Sequence, residues 1–211
     1  MWEAMTKKLL QFSLPLLVAG TLAAQALEPV TLPKPKTEGG KPLLTALAER
    51  KSSREFSPEK LSPQMLSNLL WAAAGVNRPD GHRTAPSANN RQETDVYAVT
   101  AEGAYLYNPK EHRLDPVAAG DLRALTGTQP FVATAPLNLV YVGDPDRGGS
   151  GDNTLYSAGF IGQNVYLFCA SEGLGTVIRG LVDRAALAKA LKLRPGQRIT
   201  LAQTVGYPAK K

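Results

Sequence analysis

The residues best suited to chemistry include a short run of cations and hydroxyls, Arg50-Lys51-Ser52-Ser53-Arg54. A guanidinium pairs bidentately with phosphate oxygens, and hydroxyl groups match the hydrogen-bonding needs of a polyol. The run therefore indicates a site for a phosphorylated ligand. Taken alone, it is also typical of a solvated basic surface, and that alternative stays open.

Two further segments have the composition of ligand-contacting loops. Residues 86–92, Pro-Ser-Ala-Asn-Asn-Arg-Gln, lack apolar periodicity and offer backbone and amide groups to the edge of a heteroaromatic ring. Residues 173–180 contain three glycines, which let backbone N–H groups approach a planar ligand because no Cβ intervenes. Each segment alone also fits a simpler interpretation, a surface loop for the first and a helix end for the second.

Common catalytic signatures are absent from the sequence, including Gly-x-Ser-x-Gly, a Walker loop and His-Glu-x-x-His. Gly173-Leu174-Gly175 follows a predicted helix and precedes a predicted strand, the reverse of the dinucleotide-binding order. Asp144, Asp146 and Asp152 are expected in a solvated loop. With Cys169 as the single cysteine and two histidines, neither a His/Cys zinc cage nor a disulfide framework is expected.

Length and composition indicate one globular domain. The chain has 211 residues, of which 43% are hydrophobic and 20% charged, which argues against a disordered, collagen-like or polytopic membrane protein. The formal net charge is +6, but basic residues are scattered among acidic ones. A nucleic-acid partner is therefore not expected.

The N-terminal part is predicted to be a targeting signal followed by an extended leader. Residues 1–26 have a basic start, an apolar run and an Ala-Gln-Ala exit, which is typical of a cleaved secretory signal and indicates a periplasmic or secreted protein. The alternative is a membrane anchor, but Pro15 and polar residues interrupt the run, which is shorter than the roughly 20 apolar residues a span needs. Residues 27–41 are rich in Pro and Gly and should form an extended leader outside the core, leaving 42–211 as the domain.

Apolar periodicity predicts helices over residues 43–49, 62–75, 152–172 and 183–191, with a short helix around 121–125. Ser62 and Asp183 are the predicted N-caps of the second and last long helices.

Predicted strands alternate with these helices without repeated βαβ units, at residues 94–100, 104–107, 137–142, 176–179 and 198–205. The fold class is therefore α+β, with a central, mostly antiparallel sheet flanked by helices.

The predicted helix at 152–172 is apolar nearly all round, so we expect it at the centre of the domain or between two subunits. Ala158, Gly159 and Gly162 would allow another element to approach it closely. The preceding segment 143–151 is rich in Gly and Asp and is expected to be a mobile lid.

Together and in this order, the segments resemble the FMN-dependent nitroreductase family over nearly all of residues 43–208. The family's motifs are matched at 50–56 (Arg-x-Ser-x-Arg, then Phe), 86–92 (Pro-Ser-Ala-x-Asn-x-Gln), 173–175 (Gly-Leu-Gly) and 205–208 (Val-Gly-Tyr-Pro). Residues 96–107 and 129–136 are most similar to the branch that contains azoline (thiazole/oxazole) dehydrogenases of peptide maturation.

The resemblance implies a nitroreductase-like homodimer with two FMN molecules at an interface that includes the long helix. Carried over by position, the run at residue 50 holds the phosphate, the ribityl chain and the pyrimidine edge of the flavin. The implied residues of this run are Arg50, Lys51, Ser52 and Arg54. The partner subunit is implied to contribute Pro86, Ser87, Ala88 and Asn90.

The resemblance further implies that Arg179 and Gly180 offer backbone groups near flavin N5, with Gln129 a further candidate at the flavin edge. Lys210 or Lys211 is a candidate for an additional phosphate contact. One departure concerns the substrate wall: where relatives have Pro followed by an aromatic residue after the loop glutamine, this chain has Glu93-Thr94.

Two functions are consistent with these residues. In the first, an exported FMN-dependent oxidoreductase takes electrons from a small donor and passes them to an electron-poor acceptor such as a nitroaromatic or a quinone. The cofactor carries the chemistry, so no catalytic side chain is required, and Arg54 is the candidate electrostatic tuner. In the second, the protein is a non-catalytic flavin- or ligand-binding dimer on the same fold.

Overall fold

The computed structural model describes residues 26–148 and 151–209. The predicted secretory signal lies outside these residues apart from Ala26, and Lys210 and Lys211 also lie outside them. Within the described residues, no helix combines the length and the apolar character needed to cross a membrane.

The described residues form four α-helices: α1 (Leu43–Glu49), α2 (Pro63–Ala74), α3 (Gly151–Glu172) and α4 (Arg184–Ala190). Two helix starts were predicted from their caps and are confirmed. Ser62 Oγ accepts a hydrogen bond from the backbone N–H of Met65 at 3.2 Å, and Asp183 Oδ1 accepts one from Ala186 at 3.1 Å. These bonds satisfy amide groups that the first turn of a helix leaves free.

One sheet contains the seven strands of the described residues, in the spatial order β1-β4-β3-β2-β5-β7-β6. The strands are β1 (Val30–Thr31), β2 (Thr94–Val99), β3 (Gly103–Asn108), β4 (Arg113–Ala119), β5 (Leu137–Gly143), β6 (Gly175–Arg179) and β7 (Arg198–Gly206). All its pairings are antiparallel. The predicted α+β class is confirmed, with a more uniform sheet than expected.

Both faces of the sheet are covered, which explains why its central strands are apolar at nearly every position. In β5, Leu139 and Tyr141 pack into the cluster beneath α2 and α3, whereas Val140 and Val142 pack on the opposite face against α4. Successive side chains of a strand point to opposite faces, so a strand buried on both sides needs no polar alternation.

Helix α3 packs against one face of the sheet, with one side buried and the other exposed. Its residues Ile161 and Val165 belong to the core, and Gly162 lies so close to the sheet that an added Cβ would be 2.5 Å from Ile178 Cδ1. Gly159 has open space around it, and Tyr156 is 61% exposed. The predicted close approach therefore involves Gly162 rather than Gly159.

The leader at 27–41 is extended as predicted, but the expectation that it lies outside the core is wrong. Strand β1 pairs with β4, and Leu32 is only 6% exposed within the main hydrophobic cluster. Ser67 Oγ on α2 donates a hydrogen bond of 2.6 Å to the carbonyl of Pro33. A proline-rich segment can pair at a sheet edge because its missing N–H groups are not needed on the outer side.

Two elements differ from the sequence-based expectation. Strand β4 was not predicted. It contains Pro116, which is atypical of a strand, and the structure accommodates this proline at an irregularity of the β3–β4 ladder, where the register shifts between Ala104 and Tyr105. The helix expected around 121–125 is a short 3-10 turn, Arg123–Thr126.

His112 connects the leader, α2 and the β3–β4 hairpin. Its Nε2 lies 2.7 Å from Ser67 Oγ and its Nδ1 lies 2.9 Å from Tyr107 Oη. Because Ser67 donates to Pro33, its oxygen accepts from Nε2–H, and Nδ1 accepts the Tyr107 hydroxyl proton. This arrangement suits the neutral imidazole, and burial lowers the pKa of His112.

We predict that His112 makes the protein less stable as the pH falls from 7 to 5. The unfolded chain takes up a proton near the ordinary histidine pKa of about 6.5, whereas the folded chain resists it, so protons favour unfolding. The variant His112→Asn, which tolerates the φ of 47° at this position, should lose less free energy of unfolding over that range. Urea denaturation at each pH measures this, and equal losses in the two proteins would contradict the assignment.

Candidate functional site

The site is organised around β6, one of the two edge strands of the sheet. An edge strand has backbone groups without a neighbouring strand, and these groups need other partners when they are covered. The segment after α1 supplies one: the N–H of Ser53 donates to the carbonyl of Thr176 at 2.9 Å. Phe56 then forms a β-bridge with Pro208. These contacts hold the 50–56 motif along the edge of the sheet.

Tyr166 of α3 joins the same two segments through its hydroxyl. It accepts a hydrogen bond of 3.0 Å from the backbone N–H of Ile178, and it lies 2.8 Å from Ser52 Oγ. The Arg50 guanidinium stacks on the Tyr166 ring, 5.1 Å from its centroid. The structure thus brings the predicted 50–54 and 173–180 segments together within one chain.

Arg50 and Arg54 are available for an anionic ligand. No ion pair among the described residues involves either of them. Arg50 is half-buried and Arg54 is exposed. Guanidinium groups without carboxylate partners, beside the Ser52 hydroxyl, fit the chemistry predicted from the sequence.

Lys51 is placed differently from its neighbours. Together with Ser53 it lines a cavity of about 560 Å³ that Gly173 and Thr176 also border, whereas Arg50, Ser52 and Arg54 do not line it. Tyr166, which contacts Arg50 and Ser52, also borders this cavity. The role of Lys51 at a phosphate remains a prediction.

The 86–92 segment is a tight turn that presents its residues outwards. Its 3-10 turn, Ala88–Asn90, has Asn90 at a φ of 51°, in the left-handed region. The N–H of Gln92 donates to Ser87 Oγ at 2.9 Å, and Gln92 Nε2 donates to the carbonyl of Gly81 at 2.8 Å. Pro86, Ala88 and Asn90 are exposed, and Ser87 is half-buried. The turn is fixed by internal hydrogen bonds while its surface stays free for a ligand.

This turn lies apart from the 50–54 segment in the single chain. Pro86 and Ser87 border a small cavity with Ser157 in the first half of α3, whereas Tyr166 is nine residues further along the helix. At 1.5 Å per residue, that separation is about 14 Å. Within the single chain, the two predicted segments therefore contact different parts of α3.

Arg179, the last residue of β6, has a buried side chain. Its Nη1 donates to the carbonyl of Thr126 at 2.7 Å, and its Nη2 donates to Asn138 Oδ1 at 3.0 Å. Burial lowers the pKa of Arg179 to about 10, so the guanidinium is charged at neutral pH. Only the backbone of Arg179 had been predicted to act, and sequence patterns gave no signal for its side chain.

Gln129 lies next to this arginine and has an unused acceptor. Its Oε1 is buried and has no hydrogen-bond partner, which is unfavourable unless a ligand or water supplies a donor. A Cβ added to Gly127 would clash with Arg179 Nη1 and lie 3.1 Å from Gln129 Oε1, so both side chains border the space above Gly127. Gly180, the next residue after β6, is exposed with nothing within 4 Å of an added Cβ.

Glu93, at the departure noted in the sequence, is buried rather than exposed to a substrate. Its side chain has 0% exposure, and its Oε1 accepts a hydrogen bond of 2.6 Å from Ser157 Oγ on α3. This contact ties the end of the 86–92 turn to the long helix, a role that sequence reasoning missed.

The segment predicted to be a lid is tied down in the described residues up to Gly148. Arg147 pairs with Asp95 at 2.6 Å, Arg194 pairs with Asp144 at 2.6 Å, and Arg91 donates to the carbonyl of Gly148. This network does not support a lid there. No group of three or more metal-ligating side chains occurs in the parts of the chain that are described.

Comparison with known proteins identifies the family. The model of the nitroreductase family matches residues 47–207, about three quarters of the chain. The chain therefore belongs to the nitroreductase family. A protein of Methanocaldococcus jannaschii named provisionally as a nitroreductase is 32% identical over 164 residues, covering 70% of this chain and 83% of its own length.

Solved structures agree on the fold. A protein of Ralstonia eutropha JMP134, also named provisionally as a nitroreductase, is 43% identical with a TM-score of 0.82, over 87% of this chain and 90% of that one. A provisionally named nitroreductase of Desulfovibrio desulfuricans in complex with FMN is 24% identical with a TM-score of 0.61, over 82% and 89% of the two chains. At that identity the second likeness concerns the fold alone.

We predict that Gly127→Ala destabilises the protein by about 1–3 kcal/mol, because its new Cβ would overlap a guanidinium that two hydrogen bonds hold in place. Its φ of 174° is extended, so the cost is steric rather than conformational. Urea denaturation of the protein without added ligand measures the change. Gly180→Ala is the control and should change stability by less than about 0.5 kcal/mol; equal stabilities of the two variants would show that the space above Gly127 is not constrained.

Proposed function

We propose that the protein is an FMN-dependent oxidoreductase of the nitroreductase family. The observation that carries the proposal is the buried, unpartnered Gln129 Oε1 close to Arg179 at the end of β6. The segment that contains Arg50 and Arg54, neither of which has a carboxylate partner among the described residues, lies along the edge of the same strand. The acceptor fits a ring N–H donor, and the guanidinium groups fit a phosphate. FMN carries both a ring N–H and a phosphate.

In this proposal, FMN supplies the redox chemistry and the chain supplies binding and orientation. Arg50, Ser52 and Arg54 hold the phosphate, the ribityl chain and the pyrimidine edge. The backbone of Arg179 and Gly180 approaches N5, where Gly180 leaves room because it has no side chain. The roles of Lys51 and of Lys210 or Lys211 at the phosphate are part of the proposal.

The second half of the site comes, in this proposal, from a partner subunit in a homodimer. The exposed apolar side chains Tyr156 (61%) and Phe160 (47%), which lie one turn apart on α3, support such an interface, and Leu44 of α1 (78%) is a further exposed apolar side chain. Large exposed apolar groups on one surface are typical of association sites. The partner would bring Pro86, Ser87, Ala88 and Asn90 to the FMN.

We predict that Phe160→Glu converts the dimer to a monomer and lowers FMN binding at least tenfold, because a buried carboxylate at the interface is costly and half of each site is lost. Light scattering gives the mass, and fluorescence titration gives the dissociation constant of FMN. Ala185→Glu, on the exposed surface of α4, is the control and should change neither. A monomer that binds FMN as the wild type does would contradict the two-chain site.

The proposed reaction moves electrons from a small donor to a small, electron-poor acceptor, such as a nitroaromatic or a quinone. No side chain needs to act as an acid or base, and Arg54 is proposed to stabilise the negative charge of the reduced flavin. Arg54→Ala should therefore lower the potential of bound FMN and weaken FMN binding, by about tenfold for a charge in hydrogen-bonding contact. Dye-equilibrium potentiometry measures it, and an unchanged potential would remove Arg54 from this role.

The alternative proposal is a non-catalytic flavin- or ligand-binding dimer. An export signal at 1–26 would favour it, because nicotinamide donors are scarce outside the cytoplasm. An absorption spectrum of the purified protein, followed by addition of a donor and then a nitroaromatic or quinone, separates the two. The enzyme should bleach and recover its colour with turnover, and the flavin-binding protein should be yellow without turnover. A colourless protein that takes up no FMN contradicts both of these and leaves a binding module for another ligand on the same fold.

The proposal also covers the location of the protein and its position within the nitroreductase family. The sequence of residues 1–26 supports a periplasmic or secreted location. The similarity of residues 96–107 and 129–136 supports a position near the azoline dehydrogenases.

A further inference from the structure

The Arg179 guanidinium is a buried positive charge without a negative partner. The residue is 5% exposed, and none of the ion pairs found in the described parts of the chain includes it. Its hydrogen-bond partners, the Thr126 carbonyl and the Asn138 amide oxygen, are neutral, and its Nε has no partner. Buried charges are normally paired because burying an isolated one is costly.

Asn138 keeps this environment neutral and fixed. Its Oδ1 also accepts a hydrogen bond of 2.6 Å from Thr204 Oγ1, and its Nδ2 donates to the carbonyl of Val132 at 2.9 Å. Asn138 is itself fully buried, so solvent does not screen the contact. An aspartate of the same shape would neutralise the guanidinium, yet this chain has the amide.

The position of the charge suggests its use. The guanidinium belongs to the residue whose backbone ends β6, beside Gly180 and the unpartnered Gln129 Oε1. The guanidinium therefore lies within one side-chain length of that backbone. The following inference rests on the proposed function, in which this backbone borders the flavin ring.

We propose that Arg179 is a buried electrostatic element that favours the reduced, anionic form of FMN over the oxidised form. Uptake of a hydride, which is two electrons and one proton from the small donor, leaves the flavin ring with one additional negative charge. A fixed positive charge nearby stabilises that product and not the neutral oxidised ring. At an effective dielectric near 20, a unit charge about 10 Å away changes such an equilibrium on the order of tenfold.

Arg179 differs from Arg54 in a way that an experiment can resolve. Arg54 is exposed, so salt screens its field, whereas Arg179 is enclosed by protein. The Debye length falls from about 10 Å at 0.1 M salt to about 3 Å at 1 M. An effect of Arg179 should therefore persist in high salt.

The test measures the potential of FMN bound to the full protein, by dye equilibration at 0.1 and 1 M salt, for Arg179→Gln, Asn138→Asp and Arg179→Lys. Arg179→Gln removes the charge and Asn138→Asp neutralises it. Each should shift the equilibrium between reduced and oxidised FMN about tenfold towards oxidised FMN, which lowers a two-electron potential by about 30 mV. Arg179→Lys keeps the charge and should remain near the wild-type value. If Arg179→Gln does not fold, Asn138→Asp, which retains the guanidinium, decides.

FMN titration of the same samples separates the possible failures. Variants that bind FMN with the wild-type potential overturn the inference alone. A shift that vanishes in 1 M salt also overturns it, because it assigns the effect to surface charge. A wild-type protein that takes up no FMN overturns the proposed function and this inference with it.

Discussion

The free edge of β6 is the constraint on which the arrangement of the site depends. Its outward backbone groups need partners, and they obtain them from the Ser53 N–H and the Tyr166 hydroxyl. Because Tyr166 also contacts Ser52 and stacks under Arg50, satisfying the strand edge fixes the guanidinium and hydroxyl groups of the 50–54 segment. A structural requirement of the sheet thus positions the groups that match a phosphorylated ligand.

The length of α3 separates the site into two halves. The Tyr166 half lies towards the end of the helix, and the turn at 86–92 is tied to its beginning through Glu93 and Ser157. A helix is too rigid to bring these groups together, and a second chain in the antiparallel sense of a two-fold axis would do so. The proposed homodimer is one arrangement that would bring the two halves to the same ligand.

Sequence reasoning succeeded where one local interaction decides the structure. The caps at Ser62 and Asp183, the β5 strand and the family motifs are such cases, because hydrogen bonding or periodicity within a few residues fixes them. It also assigned the 50–54 and 173–180 segments to one ligand, and the structure brings these two segments into contact.

It could not find features that depend on distant neighbours. Tyr166 was counted as one more apolar residue of α3, although its hydroxyl joins two segments. Neither the buried side chain of Arg179 nor the orphaned oxygen of Gln129 leaves a local pattern. The ion pairs of the supposed lid were missed for the same reason, since Arg147 and Arg194 pair with residues far along the chain.

The central claim, that one FMN site is built from two chains, is tested most directly by subunit complementation. Arg50→Ala damages one half of the site and Asn90→Ala the other, so each variant alone should bind little FMN. Unfolding and refolding the two together should give mixed dimers in which one of the two sites is intact, restoring about a quarter of the wild-type FMN sites on random pairing. A mixture that binds no more FMN than the separate variants would contradict the claim.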